Sequence, residues 1–161
     1  MKKLRSTRPS SHLGRLDRIW LRDPIFFVTL CAIRRKKCLT RRAVHDILVQ
    51  EMQISAARYG WCVGRYVVMP DHIYLFCAAI DESEAKPLVT FVGKFKEWSA
   101  KRLHRQLGLM PPIWQPEFFD HVLRSNESYL EKSLYVFENP VRAGLVERSE
   151  EWSFAGELSD I

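Results

Sequence analysis

The sequence predicts an α+β domain built on an antiparallel sheet, and three observations carry that prediction. A Pro70-Asp71 turn joins two β-rich runs as a hairpin. The elements read β-α-β-β-α-β-α, without the long βαβα alternation of a parallel sheet. The chain has 161 residues, 47% of them apolar, which is one domain's length and enough material for a core. The split βαβ, or ferredoxin-like, arrangement is the nearest common architecture.

Each element has its own justification. Pro24 to Ile33 holds Ile-Phe-Phe-Val-Thr-Leu and reads as a first strand, followed by a basic turn, Arg34-Arg35-Lys36-Lys37. Thr40 is placed to cap a helix in which Val44, Ile47, Leu48, Met52, Ala56 and Tyr59 recur at helical spacing. Gly60 stops it, since glycine enters the left-handed conformation at little cost. Trp61 to Met69 and His72 to Ala79 are the hairpin strands. Pro87 suits a helix's first turn, and Leu88, Phe91, Val92, Phe95, Trp98 and Ser99 form an inward stripe that runs on to Leu107. Gly108 ends that helix. Phe118 to Leu123 is a short fourth strand beyond a proline-punctuated loop. Ser125 can cap a third helix, and Asn139-Pro140 ends it, because proline cannot continue a helix.

The third helix offers two stripes. Leu130, Leu134, Phe137 and Val141 are expected to face the core, while Glu131, Tyr135 and Asn139 share a polar face. On the third strand, alternation points His72 and Tyr74 the same way, at the mouth of the Pro70-Asp71 turn. A phenol with a pKa near ~10 is a poor nucleophile at neutral pH. A divalent cation on a target phosphate would assist it, so a tyrosine beside a ligand cluster makes chemical sense.

Charge is distributed unevenly. The net charge is +6, but residues 1–42 carry 13 basic and 2 acidic side chains, and the remainder is net acidic. Residues 1–22 read as a basic arm, with Leu16, Ile19 and Trp20 available to pin it, and 23–161 as a single domain. Such an arm suits a polyanionic partner, or serves as a solubilising tail. The longest apolar run, Ile25 to Ile33, falls far short of the roughly 18 residues a spanning helix needs, so no membrane role is expected. No secretory signal is evident, and the expected compartment is the cytoplasm. The four cysteines form no CxxC pair or zinc-spaced cluster and read as reduced thiols.

Three ordered segments then carry a family resemblance. Tyr66-Val-Val-Met-Pro-Asp-His-Ile-Tyr-Leu-Phe, Trp114-Gln-Pro-Glu-Phe-Phe-Asp-His-Val-Leu-Arg and Tyr135-Val-Phe-Glu-Asn-Pro-Val-Arg-Ala-Gly-Leu-Val resemble the REP-associated tyrosine transposases, which are single-tyrosine HUH enzymes of the IS200-like group. The resemblance implies an HUH fold with Tyr135 as nucleophile. It also implies a Mg²⁺ or Mn²⁺ ion held by His72, the residue at 74 and Asn139. The implied activity is that of a single-strand DNA endonuclease and strand transferase, which forms a 5′-phosphotyrosine intermediate on single-stranded or hairpin DNA. One departure stands out: the family's second histidine is Tyr74 here, so a relative that binds structured DNA without cutting it is the alternative. His121 could substitute as a ligand, although a structural hydrogen bond is its simpler role. Lys96 matches a family lysine and is expected to touch phosphate. Lys94 and Lys101 on the same helix, and Arg124 and Arg142 flanking the third helix, complete the expected DNA-binding set. Either a monomer or a homodimer is compatible with the sequence.

Overall fold

The computed structural model describes residues 24–161; the basic arm lies outside the described residues. Five strands form one antiparallel sheet: β1 (Ile25–Cys31), β2 (Trp61–Val68), β3 (His72–Ala79), β4 (Phe119–Leu123) and β5 (Ala155–Glu157), in the order β4-β1-β3-β2-β5. Helices α1 (Arg42–Tyr59), α2 (Leu88–Leu107), α3 (Asn126–Phe137) and the short α4 (Asn139–Arg142) connect and cover it.

Alternation splits the sheet's side chains between two cores. Val28, Leu30, Val63, Ile73, Leu75 and Cys77 pack with Leu48 and Met52 of α1 and with Phe91 and Phe95 of α2. Ile25, Phe27, Val67 and Phe76 pack on the other face with Tyr129 and Val136 of α3. The anticipated α+β class and antiparallel sheet are therefore present. Phe76 is fully buried, and burying a side chain of that size is worth about 1.5–3 kcal/mol.

The helices differ from expectation in three places. α1 begins at Arg42 behind an extended Arg41, and Thr40 does not cap it. The reason is upstream: Leu39 is fully buried and its N–H donates to Pro70 O, which keeps the chain extended past Thr40. Gly60 ends α1 at φ 75°, with Ala85 Cα 2.9 Å from where a Cβ would stand. In α2 the stripe continues through Ser99 and Leu103, and Trp98 sits at its edge, 38% exposed beneath the Lys101 ammonium.

The third departure is the phase of α3. Ser125 caps the helix by accepting from the Ser128 N–H, as the sequence indicates. However, Leu130 and Leu134 are 46% and 67% exposed, and Tyr129, Ser133 and Val136 face the sheet, with Pro140 continuing the row. The buried stripe lies one residue out of phase with the leucine stripe and mixes polar with apolar side chains. Its serine receives a 2.6 Å hydrogen bond from Arg65 Nη1, and its tyrosine meets the Phe76 ring edge-on at 5.3 Å. Strand β5 is also absent from the sequence reading. Its three residues, Ala-Gly-Glu, have little β propensity, and pairing with β2 alone creates it.

Candidate active site

β3 alternation sends His72, Tyr74 and Phe76 to the face that α3 covers. His72 is anchored from one side. Its Nδ1 stands 2.6 Å from Asp71 Oδ1, and Arg35 Nε donates to Asp71 Oδ2 at 2.9 Å. Arg35 Nη2 lies 3.3 Å from the same nitrogen, but an Nδ1–H that donates to Asp71 has no lone pair for it. The carboxylate thus fixes the tautomer and leaves Nε2 its lone pair. Burial pushes the imidazole's pKa down, and Asp71 offsets this only in part. Burial alone would raise the Asp71 carboxyl; the hydrogen bonds and charges of His72 and Arg35 outweigh it and hold the group below its ordinary value.

The Arg35 position depends on unusual backbone. Arg34 and Arg35 have φ of 52° and 54°, the left-handed region that costs a non-glycine residue roughly 1–2 kcal/mol. That turn brings Arg35 back over Asp71, with Nη1 donating to Cys31 Sγ at 2.9 Å.

Tyr74 adjoins His72, ring centroids 4.7 Å apart and nearly perpendicular, and it stacks on Phe27 at 5.6 Å. It also lies against the Asn139 amide and near Tyr135. Burial pushes the Tyr74 phenol up, and the Asn139 contact opposes this incompletely.

Tyr135 stands on the outer side of α3, 56% exposed. The Arg142 guanidinium covers its ring at 3.9 Å, and Lys132 Nζ approaches at 5.6 Å while lying 4.7 Å from the Phe27 ring. Arg142 Nη2 also donates to Tyr135 O and to Asn139 Oδ1. Asn139 Nδ2 is buried and meets no acceptor at full hydrogen-bond geometry among the described residues. The structure therefore brings His72, Tyr74, Tyr135, Asn139 and Arg142 together, and adds Lys132, Arg35 and Asp71. Lys132 was readable at i−3 from Tyr135, and Asp71 by its adjacency to His72. Arg35 had no signal, because a left-handed turn delivers it.

The remaining expected DNA contacts lie elsewhere. α2 packs on the opposite sheet face. There Lys94 and Lys101 both pair with Glu97, at 2.9 and 2.6 Å. Lys96 Nζ donates to Pro116 O at 2.6 Å, and partial burial lowers its pKa. Arg124 precedes α3 at its far end, and about 14 Å of helix rise separates the helix start at Asn126 from Tyr135. His121 is exposed on β4 and paired with Phe27, on the Tyr74 face but outside the cluster. Among the described residues no group of three or more His, Cys, Asp or Glu side chains is arranged to hold a metal. A cavity of about 590 Å³ between α3 and β5, bordered by Arg65, Phe137 and Trp152, is separate from Tyr135.

The family model of IS200-like transposases matches residues 25–132. A REP-associated tyrosine transposase of Escherichia coli K12 is 27% identical over 93 residues, which span 58% of this chain and 52% of that protein. The chain thus matches about half the length of that relative. The structure of a REP-associated tyrosine transposase bound to a REP hairpin superposes with a TM-score of 0.69. Identity there is 20%, and the match covers 96% of this chain and 82% of the other.

Proposed function

This chain belongs to the IS200-like transposase family, and on that premise we propose that Tyr135 is the nucleophile of a strand-transfer reaction on single-stranded or hairpin DNA. The observation that carries the proposal is the convergence of Tyr135, Asn139, Tyr74 and His72, drawn from α3, α4 and β3, on one sheet face. The REP hairpin bound by the structurally similar protein supports a hairpin as this chain's substrate.

The chemistry is a transesterification. The Tyr135 hydroxyl oxygen bonds to phosphorus, and the phosphorus–O3′ bond breaks. The phenolic proton is transferred overall to the departing 3′ oxygen. A 5′-phosphotyrosine ester and a free 3′-hydroxyl result, and the ester conserves the bond energy for rejoining. Arg142 and Lys132 hold positive charge beside the Tyr135 ring, where the phosphate's non-bridging oxygens would lie. Arg142 also fixes Asn139, so one guanidinium orders both the nucleophile's backbone and a neighbouring oxygen.

The residues fit a Mg²⁺ or Mn²⁺ ion on one side better than the other. His72 has the carboxylate-backed imidazole that metal-ligating histidines require, and Asn139 offers an amide oxygen. Tyr74 contributes only a protonated phenol, so phosphate and water would complete the shell. When bound, such an ion polarises the phosphodiester and stabilises its developing charge. Tyr74 is also the observation that favours a second reading, a relative that grips hairpin DNA without cutting it.

The test is covalent capture. Wild-type protein incubated with Mg²⁺ and hairpin DNA carrying a single-stranded extension should yield an adduct on Tyr135, located by peptide mass spectrometry. Tyr135→Phe should lose the adduct and retain binding. Binding without any adduct supports the second reading, and an adduct on another tyrosine refutes the assignment.

A further inference from the structure

β4 presents an open row of side chains beside this site. It is a sheet edge, and Phe119, Asp120 and His121 are exposed where Leu123 is buried. Phe119 is 70% exposed, as much as any large apolar residue described. Register fixes where its ring points. Thr29 of β1 lies opposite Phe119 on one side and Tyr74 on the other. Directly opposed residues of antiparallel strands share a face. Phe119 therefore stands in the same row as Tyr74, two strand spacings away, about 10 Å. One row along, Lys132 Nζ lies over the Phe27 ring, and Arg142 covers Tyr135.

An accessible ring on the sheet face that also carries cations is the pairing that single-stranded nucleic acid recognises: the cations track phosphates, and each base has a face to stack on an aromatic. Duplex DNA offers no such base. From this juxtaposition we infer that Phe119 is a stacking platform for an unpaired base of single-stranded DNA that flanks the phosphate at Tyr135. The inference rests on the reading of Tyr135 as the DNA-reacting residue. The platform orders the strand next to the reacting phosphate, so unpaired DNA is bound more tightly than the hairpin alone.

The experiment uses the full chain carrying Tyr135→Phe, so that chemistry is silent. Fluorescence anisotropy compares a blunt hairpin with the same hairpin bearing a single-stranded extension labelled with 2-aminopurine. Adding Phe119→Ala should weaken binding of the extended hairpin about tenfold, the effect of losing one stacked base, and leave the blunt hairpin within about twofold. Phe119→Trp should restore binding, and 2-aminopurine emission should be quenched by the phenylalanine and tryptophan proteins but not by the alanine one. Equal affinity for the extended hairpin with and without Phe119→Ala overturns the inference, as does equal loss on both DNAs. Self-association abolished by Phe119→Ala, with DNA binding unchanged, overturns it in favour of a second copy of this chain on the β4 edge. Failure of the Tyr135→Phe parent to bind either DNA overturns the Tyr135 reading itself.

Discussion

The Tyr74 ring packs edge-on against His72, at the position where the resemblance expects a second imidazole, and the two groups differ in what they can donate. A neutral imidazole offers a basic nitrogen at neutral pH, whereas a phenol with an ordinary pKa near ~10 is protonated there, and burial pushes this one further up. Tyr74→His should therefore tighten Mn²⁺ binding at least tenfold by calorimetry, provided His72 is present. Adding His72→Ala should reverse the gain. Unchanged Mn²⁺ affinity in Tyr74→His would mean that position 74 does not face the cation. At this scale much was legible: alternation paired His72 with Tyr74, and helical spacing paired Tyr135 with Asn139. One of the site's cations was not. Arg35 reaches Asp71 through two left-handed residues, which no periodicity encodes. Lys132 was readable by its spacing from Tyr135, and the fold adds the Phe27 ring beneath it.

Helix α3 shows how an element's existence can be legible while its orientation is not. Ser125 at its start and Asn139-Pro140 at its end were readable from capping and proline chemistry. Its rotation was not, because two stripes one residue apart compete, and leucines filled the outer one. Tyr129 and Ser133 are buried by partners that come from β3 and β2, distant in the sequence. The assignment has a measurable consequence. Val136→Ala, at a fully buried position, should cost about 2 kcal/mol in denaturant unfolding, from two lost methyl groups and the space they leave. Leu134→Ala, 67% exposed, should stay within about 0.5 kcal/mol of wild type. A larger loss at Leu134 than at Val136 would restore the phase that composition suggests.

Across the whole chain, charge and topology act together. The +6 total conceals a strongly basic first quarter, and the described domain presents its own cations at Tyr135. Affinity for hairpin DNA should fall with salt at about −0.7 in the log–log slope for each single-strand phosphate contact. Deleting residues 1–15 should make that slope shallower if the arm touches DNA, and an unchanged slope would assign it no contact. The α+β class was legible because hairpin and helix signals are local; β5 was not, because only β2 makes it a strand.

The strand order has a further consequence, in time rather than space. Only β2 and β3 are both neighbours in the sheet and consecutive in sequence; β1 waits for β3 and then for β4, on either side of it. His72 and Tyr135 are about sixty residues apart and meet only after β4 and α3 have docked. Contacts of such long sequence separation form slowly, because the loop must close before the contact repays it. A nascent or clipped chain that lacks β4 and α3 would keep the hairpin bearing His72 and Tyr74, yet lack Tyr135, the proposed nucleophile, and Lys132 beside it. Under the proposed reading of Tyr135, any capacity to cut DNA would wait for those late elements, and a precursor without them could not nick DNA during synthesis.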